Sequence, residues 1–304
     1  MIPKATLGRT GLEVTRLGFG AMDLRGLAGE PPSAWSGLPS RLPNEEHAGK
    51  VLNAVLDAGI NFIDTAPSYG RSEEFIGRYV SQRRSEFFLA TKCGNYWRDD
   101  PDWAGWSPMT LRRSIDESLR HLKTDCVDLL QLHNPSLEEA EESGCIETLK
   151  EIQAQGKTRF IGISTILSRM ETFLDLGIFD TFQLPYSLLQ PEYEGIISKA
   201  AHLGAGTIIR GGMGEGVPAG GHPTRVDYDK LKGRWDETGT AKLVPDMEPA
   251  ELTLRYTLSH PDVHTVIVGT QNLEHIAANV SAAARGGLEP RLVDELRGRV
   301  IAGI

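Results

Sequence analysis

Cysteine is scarce in this 304-residue chain: Cys93, Cys126 and Cys145 form no CxxC pair, and one of the three is necessarily left over. Neither a disulfide framework nor a tetrahedral zinc site is built from that. A reducing, cytoplasmic setting is expected, since the leading MIPKATLGRTGLEV also lacks the apolar centre of a secretory signal. Long apolar runs are missing too. None approaches the roughly 18–20 residues of a membrane span, so no membrane partner is expected. Positive charge is in the minority, with 32 Lys and Arg against 41 Asp and Glu and a net charge of −9. Nucleic acid needs a basic face, and none is expected here. The glycine signature of an open dinucleotide-binding sheet is incomplete as well. The first strand-like run ends GFGAMDLRG, without the third glycine of GxGxxG and with no helix directly behind it.

What is present is ordinary soluble composition, 40% hydrophobic and 24% charged, laid out in a steady alternation. Eight short apolar runs read as strands: 15–22, 61–66, 87–92, 126–133, 159–165, 181–186, 206–212 and 263–270. Amphipathic helical stretches separate them, among them 47–59, 72–80, 110–122 and 137–156, and a further helix is expected at 289–301. Ser72 is a candidate N-cap, Gly156 a helix stop and Pro191 a first-turn residue. A glycine-rich, charged stretch at 213–248 interrupts the beat and reads as a loop insertion at the active site. Residues 4–14 read as a hairpin. Eight units without a composition break predict an α/β fold. It is a single (β/α)₈ TIM barrel over 1–304, with an N-terminal β-hairpin cap and an extra C-terminal helix. Its oligomeric state is left open between monomer and homo-oligomer.

Barrel enzymes carry their chemistry at the C-terminal ends of the strands. The second strand ends at Asp64, with Tyr69 in the loop beyond it; the third ends at Lys92 and the fourth at His133. A buried lysine needs a partner, and Asp64 on the neighbouring strand is the natural one. Beside a tyrosine, such a lysine stabilises the phenolate and makes the phenol a ready proton donor to a carbonyl oxygen. His133 is placed to hydrogen-bond the same oxygen. These four are the expected catalytic residues. The later strand ends add Ser164 and Thr165, Gln183, Arg210, and Gly269 to Gln271.

The segments GINFIDTAPSYG, LATK and VDLLQLHNP resemble the three signature segments of the aldo-keto reductase superfamily. The likeness runs from LGRTGLEVTRLGFGAM to GTQNLEHIAANV, essentially the whole chain. It implies an oxidoreductase that interconverts a carbonyl (aldehyde, ketone or sugar) and an alcohol by hydride transfer. The tetrad is Asp64, Tyr69, Lys92 and His133, with Tyr69 as general acid/base. The resemblance also implies a nicotinamide cofactor stretched across the strand ends: NADPH, with NADH possible. Carried over position by position, its contacts are Gly20, Met22, Asp64, Ser164, Thr165, Gln183, Arg210, Gly212, Gly269, Thr270, Gln271, His275 and Asn279. Three of these depart from the family's usual pattern. Thr165 stands where an asparagine is usual, Arg210 where an aromatic ring often stacks on the nicotinamide, and Gly269 where many members place a basic residue. A small-molecule carbonyl or alcohol is the expected partner.

Aromatic residues crowd two connections at the barrel mouth, and Trp35, Tyr96 and Trp97 are the expected substrate contacts, with Trp103 and Trp106 nearby. No long segment follows the last helix, so an open pocket for bulky aldehydes, ketones or sugars is expected. Two alternatives use the same barrel. One is a catalytically slow redox-sensing regulatory subunit. The other is a lyase or aldolase with Lys92 as a Schiff base.

Overall fold

The computed structural model describes residues 1–25, 45–94, 105–220 and 227–302. Two short antiparallel strands, β1 (Lys4–Thr6) and β2 (Glu13–Thr15), form the hairpin. Eight parallel strands then close a barrel: β3 (Leu17–Gly20), β4 (Phe62–Asp64), β5 (Phe88–Cys93), β6 (Val127–His133), β7 (Thr158–Ser164), β8 (Thr181–Pro185), β9 (Gly206–Arg210) and β10 (Thr265–Val268). Each pairs with its sequence neighbour, and β10 returns to β3. The helices between them are α1 (Glu45–Asp57), α2 (Ser72–Tyr79), α3 (Pro108–Leu122), α4 (Leu137–Glu142), α5 (Cys145–Ala154), α6 (Leu167–Asp175), α7 (Glu194–His202), α8 (Tyr228–Thr238), α9 (Pro249–Ser259) and α10 (Leu273–Ala284). The expected C-terminal helix is α11 (Pro290–Ala302). No helix among the described residues is long and apolar enough to cross a membrane.

The strand period of two sorts the barrel interior into layers. Phe62, Ala90, Leu129, Ile208 and Ile267 pack together near the floor with Leu7, Leu12 and Val14 of the hairpin. The hairpin is therefore a plug, tied in place where Arg9 N donates to Gly204 O at 2.7 Å and the Arg9 guanidinium donates to Leu203 O. One step of two residues further up the same strands come Asp64, Lys92, Gln131 and Arg210. The alternation that buries an apolar floor thus stacks a polar layer above it, toward the mouth.

Side-chain caps mark the starts of three of the described helices. Ser107 Oγ accepts from Thr110 N ahead of α3, with Pro108 in its first turn. Ser136 and Glu139 form a reciprocal capping box at α4, and Asn272 Oδ1 accepts from Glu274 N at α10. Three expectations need correction. Residues 137–156 hold two helices, because Gly144 adopts φ +70° and breaks the helical path between α4 and α5. Arg71, not Ser72, stands at the N-cap of α2. The Ser72 hydroxyl is instead buried against Ala21 O and Thr65 Oγ1. The 213–248 stretch is not wholly loop. It contains α8, whose Leu231 is buried in the core although the surrounding composition is polar.

Gly77 shows how tightly the helical layer is drawn together. A Cβ there would lie 2.0 Å from His121 O at the end of α3. Gly77→Ala is expected to destabilise the fold by about 1–3 kcal/mol, despite alanine's better helix propensity. Gly298 in α11 has nothing within 4 Å of the same point, so Gly298→Ala should stabilise by up to about 1 kcal/mol. Urea midpoints of the two variants measure the contrast.

Candidate active site

The polar layer is one hydrogen-bonded cluster. Asp64 and Lys92 are each 1% exposed, and Lys92 Nζ donates to Asp64 Oδ2 at 2.5 Å and to Thr65 O at 2.9 Å. The other carboxylate oxygen, Asp64 Oδ1, accepts from two amides, Gln131 Nε2 at 2.9 Å and Gln183 Nε2 at 2.7 Å. Gln183 Oε1 in turn accepts from Ser164 Oγ at 3.1 Å. A buried carboxylate is tolerated only when its lone pairs are filled this way.

Tyr69 enters from the loop beyond β4. Tyr69 N donates to Ala66 O, Ser72 N donates to Tyr69 O, and Arg71 N donates to Arg25 O, which fastens the loop to the exit of β3. These bonds place the phenol ring over the lysine, with Nζ 4.9 Å from the ring centroid. The His133 ring stands edge-on to it, centroids 6.3 Å apart and planes at 89°. The structure brings Asp64, Tyr69, Lys92 and His133 together at one end of the barrel.

Charge follows from this packing. Burial alone pushes the Lys92 ammonium toward neutrality, but Asp64 and Tyr69 more than offset that and hold its proton more tightly than usual. A lysine kept charged is a poor Schiff-base nucleophile, which weighs against the lyase alternative. Burial, then Lys92 and Arg210, pushes His133 down to about 3, so its imidazole is neutral through the physiological range. Burial lowers the Arg210 guanidinium, against the pull of Tyr69, Tyr193, Asp227 and Asp64.

The histidine has a consequence for stability. Between the ordinary value of 6.5 and about 3, the unfolded chain binds a proton at this imidazole and the folded chain does not. Stability from His133 is therefore complete above pH 6.5 and declines as pH falls below it. Buried His260 and half-buried His264, also shifted down, act in the same direction. The urea midpoint should drop between pH 7 and pH 5, and His133→Gln should make that drop shallower.

The other expected contacts lie at or after the ends of β3, β7, β9 and β10 and on α10. Thr165 N donates to Gln183 O at 2.9 Å, while Thr165 Oγ1 is buried with no hydrogen-bond partner among the described residues. Gly20 is open: a Cβ there would meet nothing nearer than 3.7 Å. Met22 lies half-buried in the turn after β3. At Gly269 a Cβ would sit 2.9 Å from Gly20 O and 3.1 Å from an Asp23 carboxylate oxygen, so the ends of β10 and β3 abut. Thr270 Oγ1 lies 3.4 Å from His275 Nδ1 and accepts from Asn272 N, while Gln271 Nε2 donates to Asp23 O. His47, Gln271, Asn272, Leu273 and Glu274 line a shallow, open depression at the start of α10. His275 is exposed, and Asn279 is half-buried further along that helix. Gly212 faces the barrel wall, where a Cβ would strike Val266 at 2.4 Å. Its carbonyl accepts from Thr257 Oγ1.

Trp35, Tyr96, Trp97 and Trp103 lie outside the described residues. Trp106 is half-buried against the core, with its indole Nε1 unpartnered among the described residues. Gln131 is a member of the cluster that the sequence reading did not single out. Its signal is its place two residues before His133 on one strand, which puts both on the same face.

A model described as the aldo/keto reductase family matches residues 16–298 of this chain. L-galactose dehydrogenase of Arabidopsis thaliana is 30% identical over 307 residues, covering 91% of this chain and 86% of that protein. The NADH-specific methylglyoxal reductase of Escherichia coli is 26% identical over 322 residues, covering 92% and 93%. Among solved structures, the holo form of an aldo-keto reductase from Bacillus halodurans superposes with a TM-score of 0.81 at 28% identity, covering 98% of this chain and 96% of that one.

Proposed function

The chain belongs to the aldo/keto reductase family, and from that premise we propose that it interconverts a carbonyl compound and its alcohol at the Asp64–Tyr69–Lys92–His133 cluster. It is an oxidoreductase. The observation that carries the site assignment is Lys92, its ammonium fixed on Asp64 at 2.5 Å and lying 4.9 Å from the Tyr69 ring centroid. That geometry supports Tyr69 as the general acid in reduction and the general base in oxidation. Lys92 stabilises negative charge as it forms on the phenol oxygen, and Asp64 keeps Lys92 in place and charged. His133, neutral, can donate a ring N–H to the substrate oxygen and align it without adding a competing positive charge. Because the carbonyl carbon is activated only when its oxygen receives these hydrogen bonds, the cluster favours the transition state over the bound substrate.

The residues present fit a nicotinamide dinucleotide. The buried, unpartnered Thr165 hydroxyl beside Ser164 and Gln183 suits a carboxamide. Bound there, the cofactor supplies or accepts the hydride. Ser164, Thr165 and Gln183 would hold its nicotinamide end, and Thr270, Gln271 and His275 its far end. None of the five described residues lining the depression at α10 is a lysine or arginine. With Gly269 where many family members place a basic residue, a weak grip on a 2′-phosphate is expected, the helix terminus adding about 1 kcal/mol or less. The dissociation constants for NADPH and NADH should therefore lie within about tenfold of each other.

The direct test combines tryptophan fluorescence titration with both cofactors and a screen of aldehydes, ketones and sugars by nicotinamide absorbance. Saturable binding and turnover of at least one carbonyl or alcohol are expected. Absence of binding to either cofactor would refute the proposal. The regulatory-subunit alternative draws no support from the named relatives, which are enzymes.

A further inference from the structure

We infer that Gln131 is a positioning residue for proton transfer: its amide, together with that of Gln183, fixes the Asp64 carboxylate and so sets how far Lys92 can stabilise the Tyr69 phenolate. The inference rests on the proposed role of Tyr69. An ionised carboxylate only accepts hydrogen bonds, so both amides must turn their NH₂ groups toward Asp64 Oδ1, as they do at 2.9 and 2.7 Å. For Gln183 this orientation leaves the carbonyl free to accept from Ser164 at 3.1 Å. Gln131 has no such return. Its side chain is fully buried and its Oε1 has no hydrogen-bond partner among the described residues.

A leucine at the same height in the barrel would fill similar space and leave no orphaned carbonyl. Packing therefore does not explain an amide here, and its N–H bond to Asp64 does. The effect reaches Tyr69 through charge. With two donors on Oδ1, Asp64 is a weaker sink for the proton shared with Lys92 across 2.5 Å, and the ammonium keeps more of its positive charge for the phenol. Without Gln131 the carboxylate draws that proton closer, and the phenolate loses support. Among the described residues, Lys92 from β5, His133 from β6 and Arg210 from β9 face Tyr69, and Asp64 from β4 acts on it through Lys92. The Asp64–Lys92 pair is the part of this set whose carboxylate Gln131 holds.

The test is a phenolate titration of the protein without cofactor, read as near-ultraviolet difference absorbance. Subtracting the Tyr69→Phe protein isolates Tyr69 from the other six tyrosines among the seven in the chain. In Gln131→Met, with Gln131→Met/Tyr69→Phe as its blank, half-ionisation should move up by about one pH unit. The pH limb of carbonyl turnover should move with it, and the substrate KM should stay within about twofold of the parent's. Gln131→Glu, which adds negative charge beside Asp64, should shift the titration at least as far. A folded variant of either kind that titrates at the parent's pH would overturn the inference. So would failure of both variants to fold, which leaves Gln131 a purely structural role. Turnover retained in Tyr69→Phe itself would instead overturn the role of Tyr69, so the two failures are separable.

Discussion

Replacing Tyr69 by phenylalanine should lower turnover by about 10²–10⁴ while leaving the dissociation constants of both cofactor forms nearly unchanged. The ring is retained, so the edge contact with His133 and the stacking over Lys92 survive. Only the hydroxyl is lost. Without it, no acid at this position can protonate the carbonyl oxygen, and the developing negative charge loses its proton donor. The loss should appear in kcat more than in KM, because the proton moves in the transition state and not on binding. Fluorescence titration checks the cofactor half of this expectation, and steady-state kinetics with a verified substrate checks the other.

Lys92→Met is expected to produce a comparable loss of turnover and, in addition, a large loss of stability. Methionine fills much of the lysine's volume but leaves the Asp64 carboxylate buried and without its cation. Breaking a buried pair from one side costs about 3–5 kcal/mol. Gln131 and Gln183 still donate to Oδ1, which keeps the cost toward the lower end. Removing both charges in Asp64→Asn/Lys92→Met should restore a substantial part of that stability, since no unpaired charge remains, while activity stays low. Recovery of folding without recovery of turnover would separate the structural part of the ion pair from its chemical part. Urea denaturation and initial rates on the same preparations measure both.

Much of this was legible in the chain because the barrel repeats one rule. Each apolar run of the right length became a strand, and each strand's last inward residue fell at the mouth, so Asp64, Lys92 and His133 could be placed by counting alone. Tyr69 was legible by its distance from Asp64 and by the likeness of TAPSYG to a known signature. Gln131 was not, because a single amide inside LLQLH reads as an interruption of an apolar strand until its neighbours across the barrel are known. The break at Gly144 was hidden for a related reason. Helical spacing continues on both sides of it, and only the backbone angle shows that the axis changes. Helix α8 is hard to see in the sequence because a charged, glycine-rich segment carries little periodicity, and Leu231 is its one large apolar residue buried in the core. Ser72 looked like a cap by residue type, yet its hydroxyl is committed to the loop that holds Tyr69. The cofactor preference is open in the sequence because Gly269 stands where many members of the family place a basic residue.

The central claim is that Lys92 acts on the substrate through Tyr69 and that the two form one proton-transfer unit. The most direct measurement is kcat for Tyr69→Phe, Lys92→Met and the double variant under one set of conditions. If the two residues work as a unit, the double variant should be about as slow as the slower single variant, with the losses failing to multiply. Losses that multiply across the two substitutions would show independent roles and contradict the claim.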